Sequence, residues 1–133
     1  MSKENVEVVR RAFEALGRED WVALAEFIAD DCEVHDFDIP DADVVYRGPD
    51  GLLDWLAHWD TAWETWSPRD LNFRQVGDDR VLALFRMVAK GRGSGIEINR
   101  EDAIAYTLHG GKITRVEYYN DQQQALEAAG LSE

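Results

Sequence analysis

The sequence is poor in cysteine and in basic residues, and it lacks any long apolar run. Its one cysteine, Cys32, cannot form a disulfide within the chain, which is typical of proteins in a reducing compartment. No apolar stretch approaches the ~20 residues that cross a bilayer, and the N-terminus MSKENVEVVRR lacks the apolar core of a signal peptide. We therefore expect a cytoplasmic protein without a membrane partner.

Acidic residues outnumber basic ones by 27 to 14, so the formal net charge is −13. Such a surface repels phosphate backbones, and we expect no nucleic-acid partner. The glycine-rich segment GRGSG (91–95) stands between two predicted strands rather than before a helix, which indicates a turn and not a phosphate loop. His35, Asp36 and Asp38 would point in different directions on a strand, so no metal and no cofactor are expected.

What the sequence does contain is a series of segments with clear periodicity. A length of 133 residues suits one domain, so 1–133 is interpreted as a single unit. Apolar residues at helical spacing predict helices over 5–16 and 20–29, and Gly48-Pro49-Asp50 predicts the start of a third over 50–65. CEVHDFDI alternates like a strand, and PDADVVYRGPD is typical of a loop.

The second half of the chain is typical of an antiparallel sheet. Four further strand candidates are separated by glycine-containing turns at 77–79, 91–95 and 110–111. Asp121 and Gly130 are suited to cap the two ends of a short last helix. The predicted fold class is α+β, with helices on one face of a four- to five-stranded, mostly antiparallel sheet.

Four of the five tryptophans lie in one segment, LLDWLAHWDTAWETW (52–66). On a helix with 100° per residue, Trp55, Trp59, Trp63 and Trp66 fall within an arc of about 80°. So much indole surface is not left to solvent, and the face must be buried against something broad.

The order of these elements, with FIADDCEVHDFD, YRGPDGLLDWL and GGKITRVEYYNDQQQALEAAGL, resembles the SnoaL-like polyketide cyclase family. This family is part of the superfamily of nuclear transport factor 2 and ketosteroid isomerase. The resemblance implies a cone-shaped roll, in which a curved sheet wraps around helices and encloses a central pocket, and it implies a homodimer. It leaves the activity open, because the superfamily includes isomerases, cyclases, hydrolases and binding proteins.

In such a cone the third helix forms a wall of the pocket. We therefore expect Trp55 and Trp59 to line the pocket while Trp63 and Trp66 pack in the core. The alternative is that all four belong to the core, as aromatic stripes at helical spacing usually do.

ADDCEVHD resembles the segment around the general base of ketosteroid isomerase, and Asp36 matches that base. A carboxylate beside an apolar pocket is desolvated, which raises its pKa and its basicity. The alternative is a solvated carboxylate near a strand end. His35 alternates away from Asp36 on an ideal strand, and both a proton-shuttling role and a surface role are open for it.

The other groups of that isomerase site are missing. Its tyrosine matches Ala12, and its protonated aspartic acid matches Ile104 or a position nearby. Without these donors no oxyanion hole is preformed, so steroid isomerisation by that mechanism is not expected.

A second constellation lies in INREDAIAY (98–106), where alternation puts Arg100, Asp102, Ile104 and Tyr106 on one face. Arg100 and Asp102 resemble the arginine–aspartate pair of limonene epoxide hydrolases. The third catalytic residue of those enzymes has no clean match and falls near Tyr118. The alternative is an ion pair that stabilises the sheet.

The sequence thus favours a small enzyme that acts without a cofactor on an apolar small molecule by acid/base chemistry, with isomerase, cyclase and hydrolase all open. The candidate catalytic residues are Asp36, Arg100, Asp102, Tyr118 and His35, and we expect the first four to line the pocket. The candidate ligand-contact residues are Trp55, Trp59, Phe85, Met87, Ile104, Tyr106 and Val116. Two rival functions are a non-catalytic binding protein for a hydrophobic ligand and a structural homodimer with a filled core.

Overall fold

The computed structural model describes residues 2–38 and 44–131. Within them, four helices and six strands follow in the order α1 (Ser2–Gly17), α2 (Trp21–Glu26), β1 (Ile28–Asp36), β2 (Val45–Arg47), α3 (Gly48–Ala62), β3 (Trp63–Val76), β4 (Arg80–Gly91), β5 (Glu97–His109), β6 (Lys112–Tyr119) and α4 (Gln122–Ala128). The strand β2 lies inside the predicted loop 40–50, and the first four residues of that loop, together with residue 39 at the end of CEVHDFDI, are outside the described part. In the described residues, no helix combines the length and apolar composition that crossing a membrane requires.

The sheet has the strand order β2-β1-β6-β5-β4-β3. Strands β3 to β6 form an antiparallel meander, whose three connections are the predicted glycine-containing turns. β1 pairs with β2 antiparallel and with β6 parallel, which makes the sheet mixed. The mostly antiparallel α+β architecture is therefore confirmed, with six strands in the described residues rather than four or five.

Two helices end earlier than the periodicity predicts. α2 stops at Glu26, because the backbone N–H of Ile113 donates to the Phe27 carbonyl at 2.8 Å and Ile28 already pairs with β6. α3 stops at Ala62, and Trp63 is extended, with φ −121° and ψ 129°. The prediction that Trp63 and Trp66 share the helix face of Trp55 is therefore wrong. Both residues lie on β3, which is paired with β4.

The sheet is curved, and a shift in register between β3 and β4 occurs where it bends. Pairing moves from Arg69–Arg86 to Asn72–Leu84, and the intervening Asp70 has a φ of +58°. Such a bulge bends a strand and increases its local twist. The concave face holds the main core, to which α1, α2 and α3 contribute.

The opposite face of the sheet is partly covered by α4. Ala125 and Leu126 pack against a second cluster of buried side chains, which consists of Leu82, Leu84, Ala103, Ala105 and Tyr119. Asp121 caps α4 by accepting from the backbone N–H of Gln123 at 2.8 Å. The prediction that the helices lie on one face holds for α1–α3 and is wrong for α4.

Candidate functional site

An internal cavity lies between α1, α2, α3 and the concave face of the sheet. All seven predicted ligand-contact residues line it, namely Trp55, Trp59, Phe85, Met87, Ile104, Tyr106 and Val116. Its volume is about 60 Å³, and the further described lining residues include Phe13, Leu52, Trp66 and Tyr118. We call it the aromatic cavity.

Three tryptophans reach the aromatic cavity. Trp55 and Trp59 lie one turn apart on α3, and their ring centroids are 6.4 Å apart at an interplanar angle of 86°. Trp66 lines the cavity from β3, although the sequence assigned it to the core. Trp63 packs against Trp59 with centroids 6.4 Å apart and is not among the described lining residues.

Asp36 is the last residue of β1, and only 3% of its surface is exposed. Its Oδ2 accepts the indole N–H of Trp55 at 2.7 Å and that of Trp59 at 3.2 Å, while Oδ1 accepts the backbone N–H of Asp38 at 2.8 Å. Burial raises the pKa of Asp36, and the hydrogen bonds from Trp55 and Asp38 partly oppose this. A solvated carboxylate at this position is therefore excluded.

A second buried carboxylate belongs to Asp102, which is completely inaccessible to solvent. Arg100 donates to both of its oxygens, from Nε to Oδ1 at 2.6 Å and from Nη2 to Oδ2 at 3.0 Å. The Tyr118 hydroxyl also donates to Oδ2. These bonds to Asp102 raise the pKa of the Arg100 guanidinium, which stays charged.

Arg100 lies between two carboxylates, because its Nη2 also contacts Asp38 Oδ2 at 3.3 Å. Asp38 Oδ1 in turn accepts a hydrogen bond of 2.8 Å from the side-chain amide of Asn120. Through its backbone N–H, Asp38 connects this network to Asp36. The two buried acids therefore belong to one hydrogen-bonded unit.

Tyr118 joins this unit to the aromatic cavity. Its ring lines the cavity, with its centroid 5.0 Å from that of Trp59 and 5.9 Å from that of Trp55. Burial, together with the charge of Asp102, raises the pKa of Tyr118, so its hydroxyl keeps its proton. We expected Asp36, Arg100 and Asp102 to line the cavity themselves. Instead they lie behind described lining residues, namely Trp55 and Trp59, which donate to Asp36, and Tyr118, which donates to Asp102.

The structure does not bring His35 to these residues. Its Nε2 lies 3.0 Å from Glu33 Oε1, and its ring stacks on that of Phe37, with centroids 6.3 Å apart. On β1, the side chains of Val34 and Asp36 are buried on the concave face of the sheet. His35 lies between them in the sequence and therefore points to the opposite face. Ala12 and Ile104, which match the oxyanion donors of ketosteroid isomerase, line the cavity with apolar atoms.

Three polar residues at or beside the unit were not among the candidate site residues. Asp38 follows β1 and was considered only as a solvated neighbour of Asp36 and as one of three side chains too divergent to hold a metal. Alternation along β6 predicts that Asn120, which follows the strand, shares a face with Val116 and Tyr118, but no role in the site was assigned to it. Gln122 donates from Nε2 to the backbone carbonyls of Phe85 at 3.2 Å and Asp102 at 3.1 Å, which ties α4 to the site.

The buried thiol of Cys32 lies outside this unit. Burial, with the charges of Asp31 and Glu33, raises its pKa to about 12, so it stays protonated and unreactive. Within the described part of the chain, no three His, Cys, Asp or Glu side chains are grouped so that they could hold a metal ion.

Comparison with known proteins agrees with this architecture. A family model of the SnoaL-like domain matches residues 9–116. An uncharacterised protein of Mycobacterium tuberculosis is 31% identical over 124 residues, which cover 88% of this chain and 89% of that protein.

Two solved structures are similar over nearly the whole chain. A nuclear transport factor 2-like protein from Burkholderia xenovorans LB400 has a TM-score of 0.80 at 24% identity, with 97% of both chains covered. A candidate polyketide cyclase from Xanthomonas campestris pv. campestris has a TM-score of 0.76 at 18% identity, with 96% of this chain and 98% of that chain covered. At these identities the likeness establishes the fold. The chain belongs to the SnoaL-like domain family and has the nuclear transport factor 2-like fold.

Proposed function

We propose that this protein is an enzyme that acts on a mostly apolar small molecule without a cofactor, with Asp36 as its general acid/base. The observation that supports this most is the burial of Asp36 directly behind two indoles of the aromatic cavity. A carboxyl group with a raised pKa in an apolar site is a better base than a solvated one.

Access of Asp36 to a ligand depends on Trp59. Of the two indole hydrogen bonds on Oδ2, that of Trp59 is the longer, at 3.2 Å against 2.7 Å for Trp55. A rotation of the Trp59 ring would break the longer bond and leave one acceptor position on Oδ2 free for a ligand. Trp55 and the Asp38 backbone keep the carboxylate in place meanwhile.

Tyr118, Asp102 and Arg100 would polarise the ligand or a water molecule. Arg100 neutralises the charge of Asp102, and Asp102 orients the Tyr118 hydroxyl at the cavity wall. A hydroxyl held in this way has a defined direction, which is what proton transfer at a fixed atom requires.

The second candidate function is a binding protein for a hydrophobic ligand, and one observation favours it. The indole N–H groups of Trp55, Trp59 and Trp66 and the hydroxyl of Tyr118 are all donated to carboxylates. Among the described lining residues, this leaves the Tyr106 hydroxyl to donate a hydrogen bond to a ligand. A negative charge that develops on an oxygen of the ligand would therefore receive little stabilisation.

The substitution Asp36→Asn separates the two candidates, because it removes the base and keeps the shape of the side chain. A screen of apolar compounds by quenching of tryptophan fluorescence would first identify a ligand. In an enzyme, Asp36→Asn abolishes turnover of that ligand and leaves its Kd nearly unchanged. The control is Asp54→Asn, which removes a carboxylate from the exposed face of the same helix that carries Trp55.

Turnover that survives in Asp36→Asn would contradict the role of Asp36. A ligand that binds both forms equally and is never converted would favour the binding protein.

A further inference from the structure

We propose that the aromatic cavity recognises an alkylated ammonium group, so that its ligand is a small molecule carrying a positive charge within an apolar shell. This inference rests on the proposed function in that it assumes a small molecule in the cavity. It adds the chemical class of that molecule, and it applies equally to an enzyme and to a binding protein.

The first observation concerns the orientation of the tryptophans. All three that line the cavity in the described residues donate their indole N–H to a carboxylate, Trp55 and Trp59 to Asp36 and Trp66 to Asp60 at 2.8 Å. The edge of an aromatic ring is positive and its face is negative. An anion at the N–H edge polarises the ring and makes its face more negative, which strengthens the attraction of that face for a cation.

The second observation concerns the charge behind the wall. Asp36, Asp38 and Asp102 carry three negative charges against the one positive charge of Arg100, so the hydrogen-bonded unit has a formal charge of −2. No described residue of the lining is a lysine, arginine or histidine. Arg92, which donates to the backbone carbonyl of Asp60 at 3.1 Å, is exposed and is not among the described lining residues. The field inside the cavity therefore favours a cation.

The third observation concerns shape and solvation. Two pairs of lining rings are steeply inclined, 86° for Trp55 with Trp59 and 64° for Tyr118 with Phe85. Trp59 is inclined at 49° to Trp66 and 56° to Tyr118, so the rings differ in orientation around the cavity. A bare metal ion or a primary ammonium ion would lose its water here without receiving oxygen ligands. An ammonium whose hydrogens are replaced by methyl groups has no such requirement, and its methyl groups fit an apolar lining.

The test compares choline with 3,3-dimethylbutan-1-ol, in which a neutral carbon replaces the charged nitrogen and the shape is the same. Binding would be measured by isothermal titration calorimetry and by tryptophan fluorescence, with potassium chloride keeping the ionic strength equal. We expect choline to bind the native protein at least about tenfold more tightly than the alcohol. Equal binding, or tighter binding of the alcohol, would overturn the inference and leave a neutral apolar ligand for the proposed function.

A pair of variants then tests the origin of the preference. Trp59→Leu keeps an apolar wall and removes the ring, so the advantage of choline should fall several-fold while the alcohol still binds. The control Trp21→Leu removes a tryptophan that is 39% exposed on α2 and does not line the cavity, and the advantage should persist. An unchanged advantage in a folded Trp59→Leu protein would contradict the role of the indole.

The outcomes also separate this inference from the proposed function. A preference for choline together with turnover that survives Asp36→Asn would support the inference and contradict the catalytic role of Asp36. Binding of neither compound would overturn the inference and would count against the cavity as a ligand site, and hence against the proposed function as well. The native protein alone gives the choline comparison, so the result stands even if a variant fails to fold.

Discussion

The substitution Asp102→Asn tests the energetic importance of the buried acid pair. It replaces a carboxylate that is completely buried with a neutral amide of nearly the same size. The amide oxygen, placed where Oδ2 now lies, can keep at most two of the three side-chain hydrogen bonds that Asp102 accepts, those from Arg100 Nη2 and the Tyr118 hydroxyl, and the bond from Arg100 Nε to Oδ1 is lost. The amide N–H₂ group meets donors rather than acceptors on its other side.

The expected loss follows from what remains around Arg100. Removing one partner of a buried ion pair destabilises a protein by about 3–5 kcal/mol, because the other charge is left uncompensated. Arg100 is 30% exposed and keeps the contact with Asp38 at 3.3 Å, so part of its charge is still solvated and paired. We therefore expect the lower end of that range, about 3 kcal/mol of the free energy of unfolding.

Equilibrium unfolding in urea at pH 7, followed by tryptophan fluorescence, would measure this loss. A smaller midpoint with an unchanged m-value identifies a change in stability rather than in compactness. The matched control is Asp70→Asn, which breaks the contact with Arg86 at 3.1 Å, where Asp70 is 74% exposed. Exposed pairs contribute about 0–1 kcal/mol, so this variant should unfold close to the native protein.

A loss below about 1 kcal/mol in Asp102→Asn, equal to that of Asp70→Asn, would refute the reasoning. It would mean that the Asp102 carboxylate is energetically no different from a surface carboxylate.

Three further outcomes are expected. Gly48→Ala should destabilise the protein by about 1–3 kcal/mol in urea, because Gly48 has a φ of +71° and an added Cβ would lie 2.9 Å from the Asp30 carbonyl oxygen. The control is Gly17→Ala, where an added Cβ would have no atom of another residue within 4 Å. The pKa of the Asp36 carboxyl is higher in the folded than in the unfolded state, so the folded state holds its proton more tightly. As the pH rises above 3.8, the ordinary pKa of the group, the free energy of unfolding of the native protein should therefore fall relative to that of Asp36→Asn. A relative gain in stability in unfolding experiments across pH 3–6 would contradict this sign. We also expect a homodimer, and a sedimentation mass near 15.2 kDa at micromolar concentration would contradict it.

Local periodicity was sufficient for much of the fold and for part of the site. The alternation on β5 placed Arg100 and Asp102 on one face with Ile104, and the pair is formed as the parity requires. Helical spacing likewise put Trp55 and Trp59 on one side of α3, where both are buried. These relations connect residues two to four positions apart, and the geometry of a single helix or strand determines them.

The spacing of residues did not predict where α3 ends. Trp63 and Trp66 fit the helical stripe as well as Trp55 does. They nevertheless belong to β3, because Trp63 pairs with Gly91 of β4 and Trp66 pairs with Ala89. The hydrogen bonds of strand pairing with this distant segment outweigh the helix propensity of tryptophan, which is weak. The same pairing carries Trp66 to the cavity wall.

By itself, the sequence indicated which residues could belong to a site. Alternation on β5 selected Asp102, the helical stripe selected Trp55 and Trp59, and the resemblance to known enzymes selected Asp36 and Tyr118. Only the tertiary structure decided what they contact. Asp36 meets Trp55 and Trp59 across 19 and 23 residues of chain because α3 packs on β1. Asp38 meets Asn120 across 82 residues because β1 lies parallel beside β6, with Asp36 opposite Tyr118. Such contacts depend on the register between strands and on the curvature of the sheet, and neither is encoded in the spacing of nearby residues.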